Sequence, residues 1–256
     1  MTNKPHTTPN PEAEWFGYRQ VSPEEKTQGV IDVFSSVADK YDLMNDCMSG
    51  GLHRLWKDMF VAKLRPRAGE KILDVAGGTG DITRRCLRKT QGQCNITVCD
   101  LNPDMIRVGQ KRTIDAGWLN NVAWVVGNAE ALPFDENSMD AVCITFGLRN
   151  VTHIDTALRE FFRVLKPGGR FFCMEFSSGV RPPLNKLYDM YSFTVLPWLG
   201  EKVAQDRESY QYLAESIRQF PPQQELANRM EKAGFERVRF ENILGGIVAI
   251  HHGWKL

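Results

Sequence analysis

KILDVAGGTGD, residues Lys71 to Asp81, decides how this chain folds. Ile72 to Ala76 is a short, mainly apolar run of strand length, broken by Gly77, Gly78, Thr79 and Gly80. A helical pattern follows through Ile82, Cys86 and Leu87, and a second apolar run, Ile96 to Leu101, carries the acid Asp100. Strand, glycine turn, helix and downstream acid are one half of a nucleotide-binding α/β unit. The acid Asp74 ahead of the glycines bears on which nucleotide-like ligand that unit takes.

Working outward, the same alternation continues. Strands are expected near 71–76, 96–101, 123–128, 140–146 and 170–176, and helices near 80–89, 103–115 and 153–165. Strands alternating with helices imply a mostly parallel sheet covered on both faces. Ahead of it, Val30, Val33, Phe34, Val37 and Tyr41 have helical spacing, and a second helix reads from Leu52 to Leu64, ended by Pro66. Residues 1–22 read as a flexible tail, and 23–256 as a single domain. Residues 181–221 are rich in aromatics and prolines, too long for a plain connection, and read as a helical insertion or lid. A helix near 222–233 is closed by Gly234, and the runs 235–243 and 246–254 are joined so tightly that they must be antiparallel.

Composition narrows the function classes. The 256 residues are 42% hydrophobic and 25% charged with net charge +1, ordinary for a globular protein and without a basic arm for nucleic acid. No apolar run approaches the roughly 18 residues needed to span a bilayer. Residues 1–14 have the pattern of neither a signal peptide nor a transit peptide. Six cysteines never form CxxC and read as buried reduced thiols, which points to the cytoplasm. The histidines are mostly isolated and no metal-ligand cluster is expected.

The ligand can be narrowed from the residues. Thr83 stands where a dinucleotide fingerprint wants a third small residue, and Asp81 adds negative charge where a pyrophosphate would sit. Both features suit a ligand with a sulfonium and an ammonium, S-adenosylmethionine, better than one with phosphates. Asp74 is expected to hold the methionine ammonium, the glycines including Gly77 let the backbone approach, and Asp100 accepts both ribose hydroxyls. The alternative is that Asp74 caps the turn and Asp100 caps the helix beginning at Pro103. Asn128 and the amide of Ala129 can read an adenine edge, and Thr145 to Asn150 end the fourth strand at the same crevice.

With these segments together the chain resembles a class I S-adenosylmethionine-dependent methyltransferase, Rossmann-like. The resemblance implies a seven-stranded, mostly parallel sheet with an antiparallel last strand, N-terminal helices and a helical insertion after the fifth strand. More narrowly it resembles the ubiquinone/menaquinone-biosynthesis C-methyltransferase family. The match runs from about Val30 to Leu256, through YDLMNDCMSGGLHRLWK (Tyr41–Lys57), LDVAGGTGDI (Leu73–Ile82), GNAEALPF (Gly127–Phe134), TFGLRNV (Thr145–Val151), RVLKPGGR (Arg163–Arg170), YSFTVLP (Tyr191–Pro197) and SYQYLAESIR (Ser209–Arg218). That resemblance implies that Thr79, Asp100, Asn128 and Ala129 bind the cofactor; at Thr145 the family often has serine, and the hydroxyl is kept.

The resemblance also implies methylation of a ring carbon on a polyprenyl quinol, benzoquinol or naphthoquinol, in ubiquinone or menaquinone biosynthesis. Arg149 is then expected to stabilise the developing quinolate and Asn150 to orient it or a bridging water, the alternative for Arg149 being a structural salt bridge. The aromatic insertion would accept the isoprenoid tail, cap the sheet, or form a homodimer surface. Such a substrate requires a visit to the membrane surface or delivery by a quinone-biosynthesis assembly. The rival readings are an NAD-dependent oxidoreductase and a non-catalytic cofactor-binding scaffold.

Overall fold

The computed structural model describes residues 13–38, 41–177 and 207–256. A two-stranded hairpin, β1 (Glu14–Phe16) and β2 (Arg19–Val21), precedes helix α1 (Pro23–Val37). Helix α1 starts where Ser22 and Glu25 form a reciprocal capping box and Pro23 presets the first turn. Helices α2 (Tyr41–Ser49) and α3 (His53–Leu64) follow, α3 closing on Arg65 in the left-handed region ahead of Pro66.

The expected alternation then unfolds as β3 (Lys71–Val75), α4 (Asp81–Lys89), β4 (Asn95–Asp100), α5 (Pro103–Asp115), β5 (Val122–Val126), β6 (Met139–Thr145), α6 (Ile154–Val164) and β7 (Leu165–Phe176). Beyond 206 come α7 (Arg207–Gln219), α8 (Gln223–Lys232), β8 (Glu236–Ile243) and β9 (Val248–Trp254). The seven strands from β3 on form one sheet in the order β5-β4-β3-β6-β7-β9-β8. β9 is antiparallel to both neighbours and every other pairing is parallel, so the sheet is the expected one. One apolar cluster lies on each face: Trp56, Phe60, Ile72 and Tyr210 belong to the first, Leu73, Leu158, Phe171 and Met230 to the second.

Two boundaries differ from the sequence reading, and a third lies mostly outside the described residues. Residues 14–21 are structured rather than tail: Phe16 stacks on Tyr212 of α7 at 4.3 Å, and the Tyr18 amide donates to Glu215. A three-residue strand is too short for periodicity to reveal. β7 begins five residues earlier than expected because Leu165 already pairs with Met139, ahead of an irregularity through the Pro-Gly-Gly stretch where Gly168 takes φ 82°. Of the insertion 181–221, only the part from 207 falls within the described residues, and it is helical to Gln219.

The strand order sets the site. After β3 the chain moves outward to β4 and β5, then returns to place β6 on the other side of β3. A crevice opens at the carboxyl ends of the strands where the order reverses. The glycine turn is packed tightly there: a Cβ on Gly77 would stand 2.7 Å from Val98 and 2.9 Å from the Asp74 carbonyl oxygen. Gly77→Ala is therefore expected to lower the free energy of unfolding by about 1–3 kcal/mol, read as a shift in the urea midpoint; an unchanged midpoint would show that the turn has room.

Candidate active site

A cleft opens at this reversal. Its floor comes from Val75, Ala76 and Gly78 after β3, Asp100 to Asn102 after β4, Gly127 to Glu130 after β5, and Phe146, Gly147 and Asn150 after β6. Ala76 and Phe146 hold positive φ (47° and 56°), a strained backbone for residues with a Cβ. Both residues follow adjacent strands, β3 and β6, and border the cleft.

Asp100 is the best-organised acid there. One carboxylate oxygen accepts the Gly78 N–H at 2.8 Å and the other accepts the Asn102 N–H at 2.8 Å. Each oxygen keeps a further lone pair, so the fixed carboxylate can take two neighbouring hydroxyls. Burial pushes its carboxyl up to about 6 against the pull of those two bonds. The cap of α5 belongs to Asn102, whose side-chain oxygen accepts from the Asp104 and Met105 amides, so the capping alternative for Asp100 is not what the structure has.

The other two acids are placed differently from expectation. Asp74 lies beneath the turn, 1% exposed, accepting from the Thr83 hydroxyl at 2.8 Å and facing the Cys143 thiol at 3.7 Å. Burial raises its carboxyl to about 6, and it ties β3 to α4 rather than facing the cleft. Asp81 accepts from Lys57 at 2.9 Å and from Arg85 at 3.2 Å. Burial would raise its carboxyl, but those cations outweigh it and hold it well below the carboxylate range. Its charge is thus neutralised locally by Lys57 and Arg85 and is not held for a cationic ligand.

Asn128 and Ala129 both border the cleft, and Asn128 Oδ1 accepts the Glu130 N–H, which leaves its NH2 for a ligand. Of the turn glycines, Gly78 faces the cleft, whereas Gly77 is the packing glycine beneath it. Thr79 and Thr145 do not line the cleft, and neither hydroxyl has a partner among the described residues.

Arg149 and Asn150 diverge. They share a 3-10 turn, Leu148–Asn150, after β6. The Arg149 guanidinium donates to Glu175 at 2.6 Å and to the Phe146 carbonyl at 2.7 Å, both side chains almost fully buried (3% and 1% exposed). Arg149 therefore matches the salt-bridge alternative, and it is Asn150 that borders the cleft. His153 does not line the cleft, but it pairs at 2.6 Å with Glu130, which does.

The sequence reading missed the roof. Thr27, Val30, Ile31 and Phe34 of α1 line the cleft, and Asn102 donates to the Ile31 carbonyl and the Ser35 hydroxyl at 3.0 Å each. Helical periodicity marks Val30 and Phe34 as apolar-face residues, and nothing in it separates a face that covers a ligand from one that covers a core.

Residues 20–255 match the model of the ubiE/COQ5 methyltransferase family. The chain belongs to that family. It is 54% identical to the mitochondrial 2-methoxy-6-polyprenyl-1,4-benzoquinol methylase of Arabidopsis thaliana, over 94% of this chain and 90% of that protein. It is 53% identical to the ubiquinone/menaquinone biosynthesis C-methyltransferase UbiE of Brucella abortus (strain S19), with the same coverage. Among solved structures, a SAM-dependent methyltransferase from Thermotoga maritima superposes with TM-score 0.62 at 20% identity, over 88% of this chain and 99% of that one. A SAM-dependent methyltransferase from Aquifex aeolicus gives 0.57 at 16%, over 78% and 89%. The last two show the fold.

The chain is a methyltransferase and its cofactor is S-adenosylmethionine. The cleft fits that group on its own terms. It offers a fixed carboxylate with spare lone pairs for a ribose, an approachable backbone at Gly78, Asn128 and Ala129 for a base edge, and an apolar roof.

Proposed function

We propose that this chain methylates a ring carbon of a polyprenyl quinol, a 2-polyprenyl-6-methoxy-1,4-benzoquinol, a demethylmenaquinol, or both. The names of its relatives supply the substrate class. The observation that carries the reading is that Asn150 presents a polar group to the same cleft that holds the fixed Asp100 carboxylate, under an apolar roof. S-adenosylmethionine supplies an electrophilic methyl, so the protein's task is to position a carbon nucleophile and sharpen it.

A quinol carbon ortho to a hydroxyl gains carbanion character as that hydroxyl loses its proton to water or a nearby group. The carbon takes the methyl as the sulfonium–methyl bond breaks to leave S-adenosylhomocysteine, and the ring hydrogen then leaves as a proton. Asn150 is the group we assign to the oxygen, donating to it as negative charge develops. Arg149 acts from behind: its ion pair with Glu175 and its bond to the Phe146 carbonyl fix the turn that carries Asn150. Thr79, Asp100, Asn128, Ala129 and Thr145 are assigned to the cofactor. The roof of Val30, Ile31 and Phe34 excludes water, which favours attack on the methyl over loss to solvent.

No described helix is long and apolar enough to cross a membrane. A polyprenyl substrate then reaches the cleft from a membrane surface or from a quinone-biosynthesis assembly. The described cysteines are all free and buried, which supports a reducing compartment such as the cytoplasm.

Incubation with methyl-labelled S-adenosylmethionine and each demethylated quinol, kept reduced, tests this directly. Label is expected on the ring carbon of at least one quinol. Tight S-adenosylhomocysteine binding with label in neither ring would overturn the catalytic reading in favour of a scaffold.

A further inference from the structure

We propose that Tyr212, on helix α7, is a positioning residue that locks the side-chain amide of Asn150 with its NH2 turned into the cleft. The inference rests on the reading of Asn150 as the donor to the quinol oxygen and adds what fixes that donor's direction.

An asparagine amide has two faces, one accepting and one donating, and rotation by half a turn exchanges them. The main chain at Asn150 is well determined. Its N–H donates to the Gly147 carbonyl at 3.1 Å, and Glu175 accepts the neighbouring Arg149 N–H at 3.3 Å. Neither bond chooses which end of the amide meets a ligand. The Tyr212 hydroxyl makes that choice by donating to Asn150 Oδ1 at 3.0 Å. With the amide reversed, a buried phenol O–H would face a donor and lose its acceptor, and an unmet buried donor is costly. The observed orientation therefore commits Oδ1 to Tyr212 and leaves the NH2 for the cleft that Asn150 borders.

Tyr212 is built to hold this position. It is 5% exposed, and its ring stacks on Phe16 at 4.3 Å with the planes 22° apart. The hairpin carrying Phe16 is fastened to the same helix, where the Tyr18 amide donates to Glu215 at 3.0 Å. Burial pushes the phenol above its usual range, so the hydroxyl stays protonated and remains a donor. Tyr212 does not itself line the cleft, so it touches neither cofactor nor substrate there and acts through Asn150. The N-terminal hairpin, which borders no part of the cleft, thereby acquires a role in the chemistry.

Tyr212→Phe removes one hydroxyl and keeps the stacked ring. The test is a cycle of Tyr212→Phe, Asn150→Ala and the double variant, with kcat and KM for the quinol, S-adenosylhomocysteine affinity and melting temperature measured for each. Tyr212→Phe is expected to lower kcat about tenfold to a hundredfold, below the cost of deleting a donor outright, with cofactor affinity within twofold. In the Asn150→Ala background the same change should do almost nothing further. Unchanged kcat in Tyr212→Phe, or an equal fold-loss in both backgrounds, would overturn the proposal. If wild-type protein methylates no quinol, the functional reading fails, and side-chain amide NMR with S-adenosylhomocysteine bound still decides the lock. One sharp Asn150 NH2 pair in wild type that broadens or shifts in Tyr212→Phe supports it; identical spectra overturn it.

Discussion

Asp100→Ala is expected to weaken S-adenosylhomocysteine binding by about a hundredfold or more, measured by titration calorimetry. Hydrogen bonds to a charged group contribute roughly 1.5–3 kcal/mol each, and a carboxylate taking both ribose hydroxyls makes two of them. The geometry is set before the ligand arrives, because the Gly78 and Asn102 amides each hold one carboxylate oxygen at 2.8 Å. Little ordering cost therefore offsets the gain. Asp100→Asn keeps one acceptor oxygen and should lose less, about tenfold. An Asp100→Ala protein that binds within threefold of wild type would remove Asp100 from the cofactor site.

The same carboxyl gives the binding a pH dependence of known sign. Its ordinary value of 3.8 is raised to about 6 by burial, so the free protein takes up a proton there as pH falls. The ligand needs the carboxylate, and protonation competes with it. Affinity should fall as pH drops through about 6, approaching tenfold per unit below it. Asp74 titrates in the same range but does not border the cleft, so Asp100→Asn should flatten the profile while Asp74 remains. For the free protein, these raised values mean that the native state binds more protons than the unfolded chain between 3.8 and about 6. Stability therefore declines as pH rises through that window.

The sheet was legible because each link of it has a local signature. KILDVAGGTGD contains a strand, a turn only glycine tolerates and a helix start, and Gly80 does adopt φ 71° at the N-cap of α4. Asp100 was legible as an acid at the end of β4, but the choice between a ligand and a cap was not: only the structure shows Asn102 taking the cap of α5. Side-chain direction was not legible. Asp74 sits in a strand paired with Cys143 across β6, and that register, a contact 69 residues away, turns its carboxylate inward. Asp81 meets Lys57 from a helix 24 residues upstream, and local charge counting could not see that cation. Arg149 and Asn150 are neighbours in sequence, yet Glu175 on β7 and Tyr212 on α7 draw them apart. Partners that arrive through tertiary structure decide which of two adjacent polar residues faces the cleft.

That tertiary partner makes Arg149 the second position of large effect. Arg149→Met is expected to destabilise the protein by about 3–5 kcal/mol, because it strands Glu175 without its counter-charge. Glu175 is 1% exposed, and burial already pushes its carboxyl upward against the pull of Arg149. Among the described residues it retains only the Phe176 and Arg149 backbone amides as donors once the guanidinium is gone. For a chain of this size the loss corresponds to a melting temperature lower by roughly 8–15 °C. With Arg149 absent the folded carboxyl moves further above its unfolded value, so the deficit should grow as pH rises and be smaller at pH 5 than at pH 8. Arg149→Met/Glu175→Leu removes both charges and should recover most of the stability, whereas Glu175→Leu alone leaves a buried guanidinium and should lose as much as Arg149→Met. Turnover separates structure from chemistry: the double variant folds but has lost the clamp on the Leu148–Asn150 turn, so quinol methylation should remain low while S-adenosylhomocysteine still binds. A double variant that regains both stability and wild-type turnover would show that the turn holds Asn150 without help from the ion pair. Single variants within 1 kcal/mol of wild type would show that the pair is not what stabilises this end of the sheet.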